Sequence, residues 1–219
     1  MPAQGEESMA ATTLGQLHVI TDTRPGRDPV AIVGAVLEAG APVIQVRAKG
    51  LTDRKLYELS ARVADLCVAH GADCIIDDRV DIAVAVGAAG AHVGADDLPV
   101  ALARTVLGPD RWLGATARDP DTAWAHQRAG ASYLGVGPTY ATATKTGLPA
   151  PLGPSVVGRV AAAVSIPVIA IGNVTALAVR DLIDAGAHGV AVVSAVSEAD
   201  DPRLATEELL RALDKAINA

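Results

Sequence analysis

One small motif punctuates this chain: Gly-Ala at 40–41, 71–72, 90–91, 130–131 and 186–187. Each pair closes a stretch of helical periodicity and stands just before an apolar or β-branched run. Glycine enters the left-handed conformation that ends a helix without the penalty a Cβ would bring. The chain therefore reads as helix, stop, strand, several times over. Strands are expected in LHVITD (17–22), VIQVRAK (43–49), CIIDD (74–78), AHVGADD (91–97), WLGATAR (112–118), SYLGVGP (132–138), PVIAIGN (167–173) and GVAVVSA (189–195). Helices are expected between them, among others in DPVAIVGAVLEAG (28–40), DRKLYELSARVADLCVAHG (53–71) and TALAVRDLIDAG (175–186). Strand starts recur every roughly 20 to 35 residues, the pitch of βα units. Eight units predict an α/β protein, a single-domain (β/α)8 TIM barrel over residues 17–219, behind a flexible segment at 1–16. A doubly wound open sheet seldom needs eight units, and no G-x-G-x-x-G follows the first strand.

Composition agrees. Half of the residues are hydrophobic but only 2% are aromatic, with no Phe, so Ala, Val, Leu and Ile must do the packing. The net charge of −7 argues against a general nucleic-acid binder, whose surface would be basic. Two cysteines, Cys67 and Cys74, make no disulfide framework and no zinc spacing; they read as small buried hydrophobes. The first sixteen residues lack the basic start and apolar core of a secretory signal. No apolar run approaches the ~20 residues of a membrane span. A soluble, cytoplasmic protein without membrane or nucleic-acid partners is expected. A homodimer is compatible with a barrel exterior, but no stretch singles out an interface.

In barrels the chemistry sits at the C-terminal ends of the strands, and that is where the polar residues gather here. Gln45, Arg47 and Lys49 alternate with period two and so share one inward face. Three long polar side chains on such a face call for a ligand or for partners. Asp78 and Asp97 end adjacent strands beside those cations, a pattern that suits Mg²⁺, which takes one or two protein carboxylates and completes its shell with water and phosphate oxygens. Helix capping is the alternative use of both aspartates. Nothing in the sequence points to a raised carboxyl pKa, which disfavours an acid–base pair.

The segment GPTYATATKTG (137–147) supplies hydroxyls at Thr142 and Thr144 and a compact cation at Lys145, suited to an anion. Gly172-Asn173 after strand seven and Val193-Ser194 after strand eight can offer backbone N–H groups to a phosphate. The five histidines form no metal spacing; His18 and His92 lie in strands and could face the core.

With these residues in place, the chain resembles the thiamine phosphate synthase family, also called thiamine-phosphate pyrophosphorylase. The match covers about Leu17 to Pro202 through LHVITD, IQVRAK, IIDDRVDIA, HVGADDLPV, GASYLGVGPTYATATKTG, PVIAIGN and DAGAHGVAVVSAVSEADDP, in order. The resemblance implies a Mg²⁺-assisted transferase. Such an enzyme joins hydroxymethylpyrimidine pyrophosphate to hydroxyethylthiazole phosphate, releasing pyrophosphate. Departure of pyrophosphate would leave a pyrimidine-stabilised carbocation for the thiazole nitrogen to capture. By matching positions, Gln45 would contact the pyrimidine; Arg47, Lys49 and Lys145 the pyrophosphate; Asp78 and Asp97 the metal; Thr142 and Thr144 the thiazole. Gly172, Asn173, Val193 and Ser194 would surround the thiazole phosphate.

The chain departs from the family pattern in four places. Asp77 stands where an Asn is usual beside pyrophosphate, and Ala95 where a Gln is usual. Thr116-Ala117-Arg118 replaces Ser-x-His: Thr116 keeps a catalytic hydroxyl, and Arg118 could bind phosphate. Asn173 replaces a second glycine. The related thiazole tautomerases share the barrel but rely on a His near the end of strand five, where this chain has Arg118. Asp78, Asp97 and the Thr-x-Thr-Lys segment favour the synthase over the tautomerase, and over a phosphate-binding barrel without turnover.

Overall fold

The structure is a computed structural model that describes residues 13–141 and 150–219. Eight parallel strands close into a barrel in sequence order: β1 (Leu17–Ile20), β2 (Val43–Val46), β3 (Asp73–Asp77), β4 (Gly90–Val93), β5 (Trp112–Ala117), β6 (Tyr133–Val136), β7 (Val168–Ile171) and β8 (Gly189–Val192). Helices surround them: α1 (Pro29–Glu38), α2 (Asp53–His70), α3 (Val80–Ala85), α4 (Val100–Leu107), α5 (Pro120–Arg128), α6 (Pro154–Ala163), α7 (Val179–Asp184), the one-turn α8 (Ser194–Ser197) and α9 (Pro202–Ile217). The expected (β/α)8 barrel is present, with every expected strand in its place. Most of the strands stop short of the polar residues that close their runs. Those residues follow the last paired positions, and several of them, Arg47, Lys49, Asp78 and Asp97 among them, line the pocket at that end of the barrel.

Asp-Pro pairs open three of the helices. Asp28, Asp119 and Asp201 each accept backbone N–H groups of the first turn, and the following proline has no N–H to lose there. The Gly-Ala punctuation works at Gly40, Gly71, Gly130 and Gly186, all with positive φ. Gly90 is the exception. It opens β4, and the stop after α3 falls three residues earlier at Gly87, with φ 65°. Gly90 is needed for another reason: a Cβ there would run into the Trp112 carbonyl of the neighbouring strand.

The main core lies between the strands and the helices, built from Val, Leu, Ile and Ala. Cys67 and Cys74 are free and buried within it, as expected. A smaller cluster of Leu14, Ile20, Tyr133, Ile169 and Ala191 packs together. Of the expected flexible segment, residues 1–12 lie outside the described residues. Leu14 is buried, His188 Nε2 is 2.8 Å from its carbonyl, and the Gln16 carbonyl accepts the Val190 N–H. Among the described residues no helix is long and apolar enough to cross a membrane.

Tyr133 fills the barrel interior, with its ring edge-on to His18 at 5.3 Å and tilted against His92 at 5.6 Å. Gly114 makes room for both neighbours, since a Cβ at that position would meet the Tyr133 ring and His92. Overpacking a filled interior costs about 1–3 kcal/mol. Gly114→Ala should therefore lower the stability read from a urea melt by ~2 kcal/mol, with the loss concentrated on the rings that floor the site.

Candidate active site

The rim of the barrel is built outward from β2. Gln45 is an inward-facing residue of that strand, and Arg47 and Lys49 continue its alternation past the strand end; all three line the central pocket. Gln45 Nε2 donates to Asp77 Oδ1 at 2.8 Å, and Arg47 Nε stands 3.3 Å from Asp77 Oδ2. Lys49 Nζ is 3.1 Å from Asp78 Oδ2. The shared inward face read from the sequence is thus real, and two adjoining carboxylates answer its cations. Burial pulls the Lys49 ammonium down, but the bond and charge of Asp78 outweigh it and leave it raised.

Asp78, the first residue after β3, lies in the left-handed region at φ 64°, a conformation that Asp tolerates better than most residues. Its N–H is paired to the His92 carbonyl of β4, so its carboxyl is held on the rim. Asp97 returns from the β4 loop and accepts the Gly94 N–H at 2.8 Å. A Cβ on residue 94 would lie 2.8 Å from that Asp97 oxygen, so a larger residue there would push the carboxylate from its place. The two carboxyl groups neighbour one another. Burial, the Asp97 carboxyl and the charge of Asp77 push Asp78 upward; Asp97, despite burial, is drawn downward by the Asp78 carboxyl, the Gly94 N–H and Lys49. Burial also raises Asp77, against the pull of Arg47 and Gln45. Raised carboxyl pKa values, unexpected from the sequence alone, are therefore present at Asp77 and Asp78, where burial acts among neighbouring acids.

This pair suits a divalent ion. A dication there would offset the like-charge cost of standing two carboxylates side by side. No group of three or more His, Cys, Asp or Glu among the described residues could hold a metal by itself. A two-carboxylate site completed by phosphate and water is the Mg²⁺ pattern rather than the zinc one.

Deeper in the barrel, Thr116 of β5 meets His92, whose Nε2 lies 3.1 Å from the hydroxyl; His92 Nδ1 lies 3.3 Å from the Tyr133 hydroxyl. Burial lowers the His92 pKa to about 4, and burial together with His92 lowers that of His18 to about 3, so both rings are neutral in neutral solution. His18, His92 and Tyr133 all line the pocket, yet the sequence offered only their place in strands. The usable signal was period two: His92 and Gly94 alternate inward as Gln45 and Arg47 do.

Gly172, Asn173, Val193 and Ser194 close the remaining side of the same pocket. Gly172 has φ 107°, and a Cβ there would stand 2.6 Å from the Pro138 Cα, so no other residue fits. Arg118 is the one expected site residue among the described residues that stands apart. It does not line the pocket, because its guanidinium donates to the carbonyls of Gly137 at 2.9 Å and Ala150 at 3.0 Å. Thr142, Thr144 and Lys145 lie outside the described residues.

The thiamine monophosphate synthase family model matches residues 17–196. The chain belongs to this family. It is 55% identical over 205 residues to a thiamine-phosphate synthase of Salinispora arenicola, spanning 92% of this chain and 99% of that one. Its identity to the thiamine-phosphate synthase of Salinispora tropica is 56% over the same shares of both chains. Among solved structures, a thiamine phosphate pyrophosphorylase of Pyrococcus furiosus superposes with a TM-score of 0.85 at 35% identity, covering 92% of this chain and 96% of that one.

Within this family two of the departures have local explanations. Asn173, in the place of a second glycine, takes φ 51°, and Asn is among the few residues with a side chain that adopt the left-handed region readily. Asp77, in the place of an amide, is matched by both Gln45 and Arg47, so its charge does not stand alone. Ala95 has no contact that explains the change.

Proposed function

We propose that this chain is a thiamine-phosphate synthase, a transferase that condenses hydroxymethylpyrimidine pyrophosphate with hydroxyethylthiazole phosphate and releases pyrophosphate. The observation that carries the reading is convergence. Arg47 and Lys49, the Asp78–Asp97 pair, Thr116, and the loops at Gly172 and Ser194 line one pocket although they come from six different strands or the loops after them. A site with cations and paired acids on one side and a glycine-rich wall on the other can hold a pyrophosphate and a second phosphate at once.

The residues divide the work as follows. Gln45, kept in place by its bond to Asp77, orients the pyrimidine over the neutral floor of His92 and Thr116. Arg47 and Lys49, joined by Lys145, meet the negative charge that grows on pyrophosphate as its bond to the pyrimidine methylene breaks. Donors set in advance where charge develops are worth about 3–4 kcal/mol each. Asp78 and Asp97 would hold Mg²⁺, which when bound supplies a further charge for the pyrophosphate oxygens. The thiazole, placed by Thr142 and Thr144 and by its phosphate on the N–H groups near Gly172, Asn173, Val193 and Ser194, presents its nitrogen to the cationic carbon. The nitrogen carries no proton at that stage, so no strong general base is needed. The neutral state of His92 and His18 agrees with this. Residues 17–219 form the catalytic unit of this reading, acting in the cytoplasm on small molecules alone.

The test is pyrophosphate release with both substrates present, with and without Mg²⁺. Release that needs both substrates and the metal is the expected result. Turnover of a thiazole carboxylate phosphate alone, without metal, would make the chain a tautomerase instead, and tight binding of thiazole phosphate without any release would make it a sensor.

A further inference from the structure

We propose that Thr21 and Asp22, which follow β1, are positioning residues for the two halves of the site: Thr21 sets Arg47, and Asp22 sets the segment that bears Val193 and Ser194. The inference rests on the synthase reading above and assigns work to a strand end that otherwise supplies no chemistry. In the closed barrel, β1 is the single strand between β2 and β8. The cationic half of the site hangs from β2 and the half beside Ser194 from β8. Neither Thr21 nor Asp22 lines the pocket, yet they are only 7% and 4% exposed.

Thr21 turns toward β2. The strand β2 ends at Val46, so no ladder bond is left to fix Arg47. The Thr21 hydroxyl takes over: it donates to the Arg47 carbonyl at 3.0 Å and accepts the Arg47 N–H at 2.8 Å, while the Thr21 N–H donates to the Gln45 carbonyl at 2.9 Å. One side chain thus holds both backbone groups of the residue whose guanidinium must meet the leaving group. A hydroxyl can do this because it is donor and acceptor at once.

Asp22 turns the other way. Its Oδ2 accepts the Ser197 hydroxyl at 2.7 Å and Arg24 Nη2 at 2.6 Å; its Oδ1 accepts Arg24 N–H at 3.1 Å and Nε at 2.9 Å. Arg24 Nη2 also reaches Glu198 Oε1 at 2.7 Å, just past the end of α8. A helix of one turn has no stability of its own. The direction of α8, and with it the N–H groups of Val193 and Ser194 at its start, depends on such outside contacts. The Asp22 carboxylate is the anchor at its far end.

The experiment is a separate KM for each substrate, and kcat, in four variants. Ser197→Ala and Asp22→Asn should raise the KM for hydroxyethylthiazole phosphate about tenfold, the loss of ~1.4 kcal/mol of binding, and leave the pyrimidine KM within about twofold. Thr21→Val should do the reverse: it lowers kcat and raises the pyrimidine pyrophosphate KM, each about tenfold, with the thiazole KM held and Thr21→Ser restoring both. A purely structural role would lower the yield of folded protein and move both KM values alike, or neither; either result overturns the proposal. Ser197→Ala removes a single oxygen, so it keeps the thiazole half readable if Asp22→Asn does not fold. If the unaltered chain releases no pyrophosphate, the synthase reading fails instead. Calorimetric binding of each substrate to the same variants then decides the inference on its own.

Discussion

Methionine in place of Arg47 is expected to cut kcat for pyrophosphate release by about two to three orders of magnitude, while the barrel still folds. Arg47 is the more buried of the two cations that follow β2, its side chain 29% exposed where that of Lys49 is 52% exposed. A charge in that setting is screened less by water and acts more strongly on a departing anion. Methionine keeps much of the length and volume while removing the charge and the donors. Lysine should recover only part of the loss, because a single ammonium cannot reproduce the planar fork that approaches Asp77 while still facing the pocket. The backbone of residue 47 stays in place, since the Thr21 hydroxyl holds it whatever its side chain, but the buried Asp77 loses one partner and the melt should fall modestly. Steady-state pyrophosphate release read beside a thermal melt checks both halves. A variant with wild-type kcat would remove Arg47 from the chemistry.

How much of this was legible beforehand depends on what kind of information each feature needs. Strands came out of the sequence because a fully buried parallel strand is a short apolar run, and VIQV, YLGV and GVAV are buried from end to end. The inward face of Gln45, Arg47 and Lys49 came out because alternation survives past the last ladder bond. Most strand ends did not, since residues such as Asp22 or Lys49 look like strand until a neighbour stops pairing with them. Gly90 misled for a related reason. A glycine required by a close approach to the Trp112 carbonyl and one required by a left-handed helix end are the same letter. The floor of the site was hidden because it is made by packing across strands: Gly114 yields the space that Tyr133 and His92 fill. Arg118 was expected to meet a phosphate because it is a cation near a strand end. Its donors go to two backbone carbonyls far apart in sequence, at Gly137 and Ala150, and no local pattern announces that. The raised carboxyl groups were hidden likewise, since proximity of Asp77, Asp78 and Asp97 is a property of the closed barrel.

The second large effect is expected at Asp97. Asp97→Asn should lower activity by about a hundredfold or more and raise the Mg²⁺ concentration needed for half-maximal rate, since it removes one of two charged ligands of the proposed ion. The amide oxygen can still accept the Gly94 N–H, so the β4 loop keeps its closing bond. Stability should change little. Burial, the Asp97 carboxyl and the charge of Asp77 raise the Asp78 pKa above its unfolded value. A carboxyl group raised in this way supports the fold at low pH and loses that support as pH rises through its folded pKa. In mildly alkaline buffer without added metal, an amide at 97 removes the like charge beside Asp78. Against this, the Gly94 N–H and Lys49 help hold Asp97 below its ordinary value, so its charged form supports the fold at that pH. The two effects oppose, and the melting temperature of Asp97→Asn should stay close to that of the wild type, while added Mg²⁺ should raise it less. The combination of lower activity, little-changed stability and a shifted metal response is what separates a ligand from a structural aspartate. A variant that melts lower without metal, yet keeps the wild-type Mg²⁺ dependence, would assign Asp97 to the loop alone.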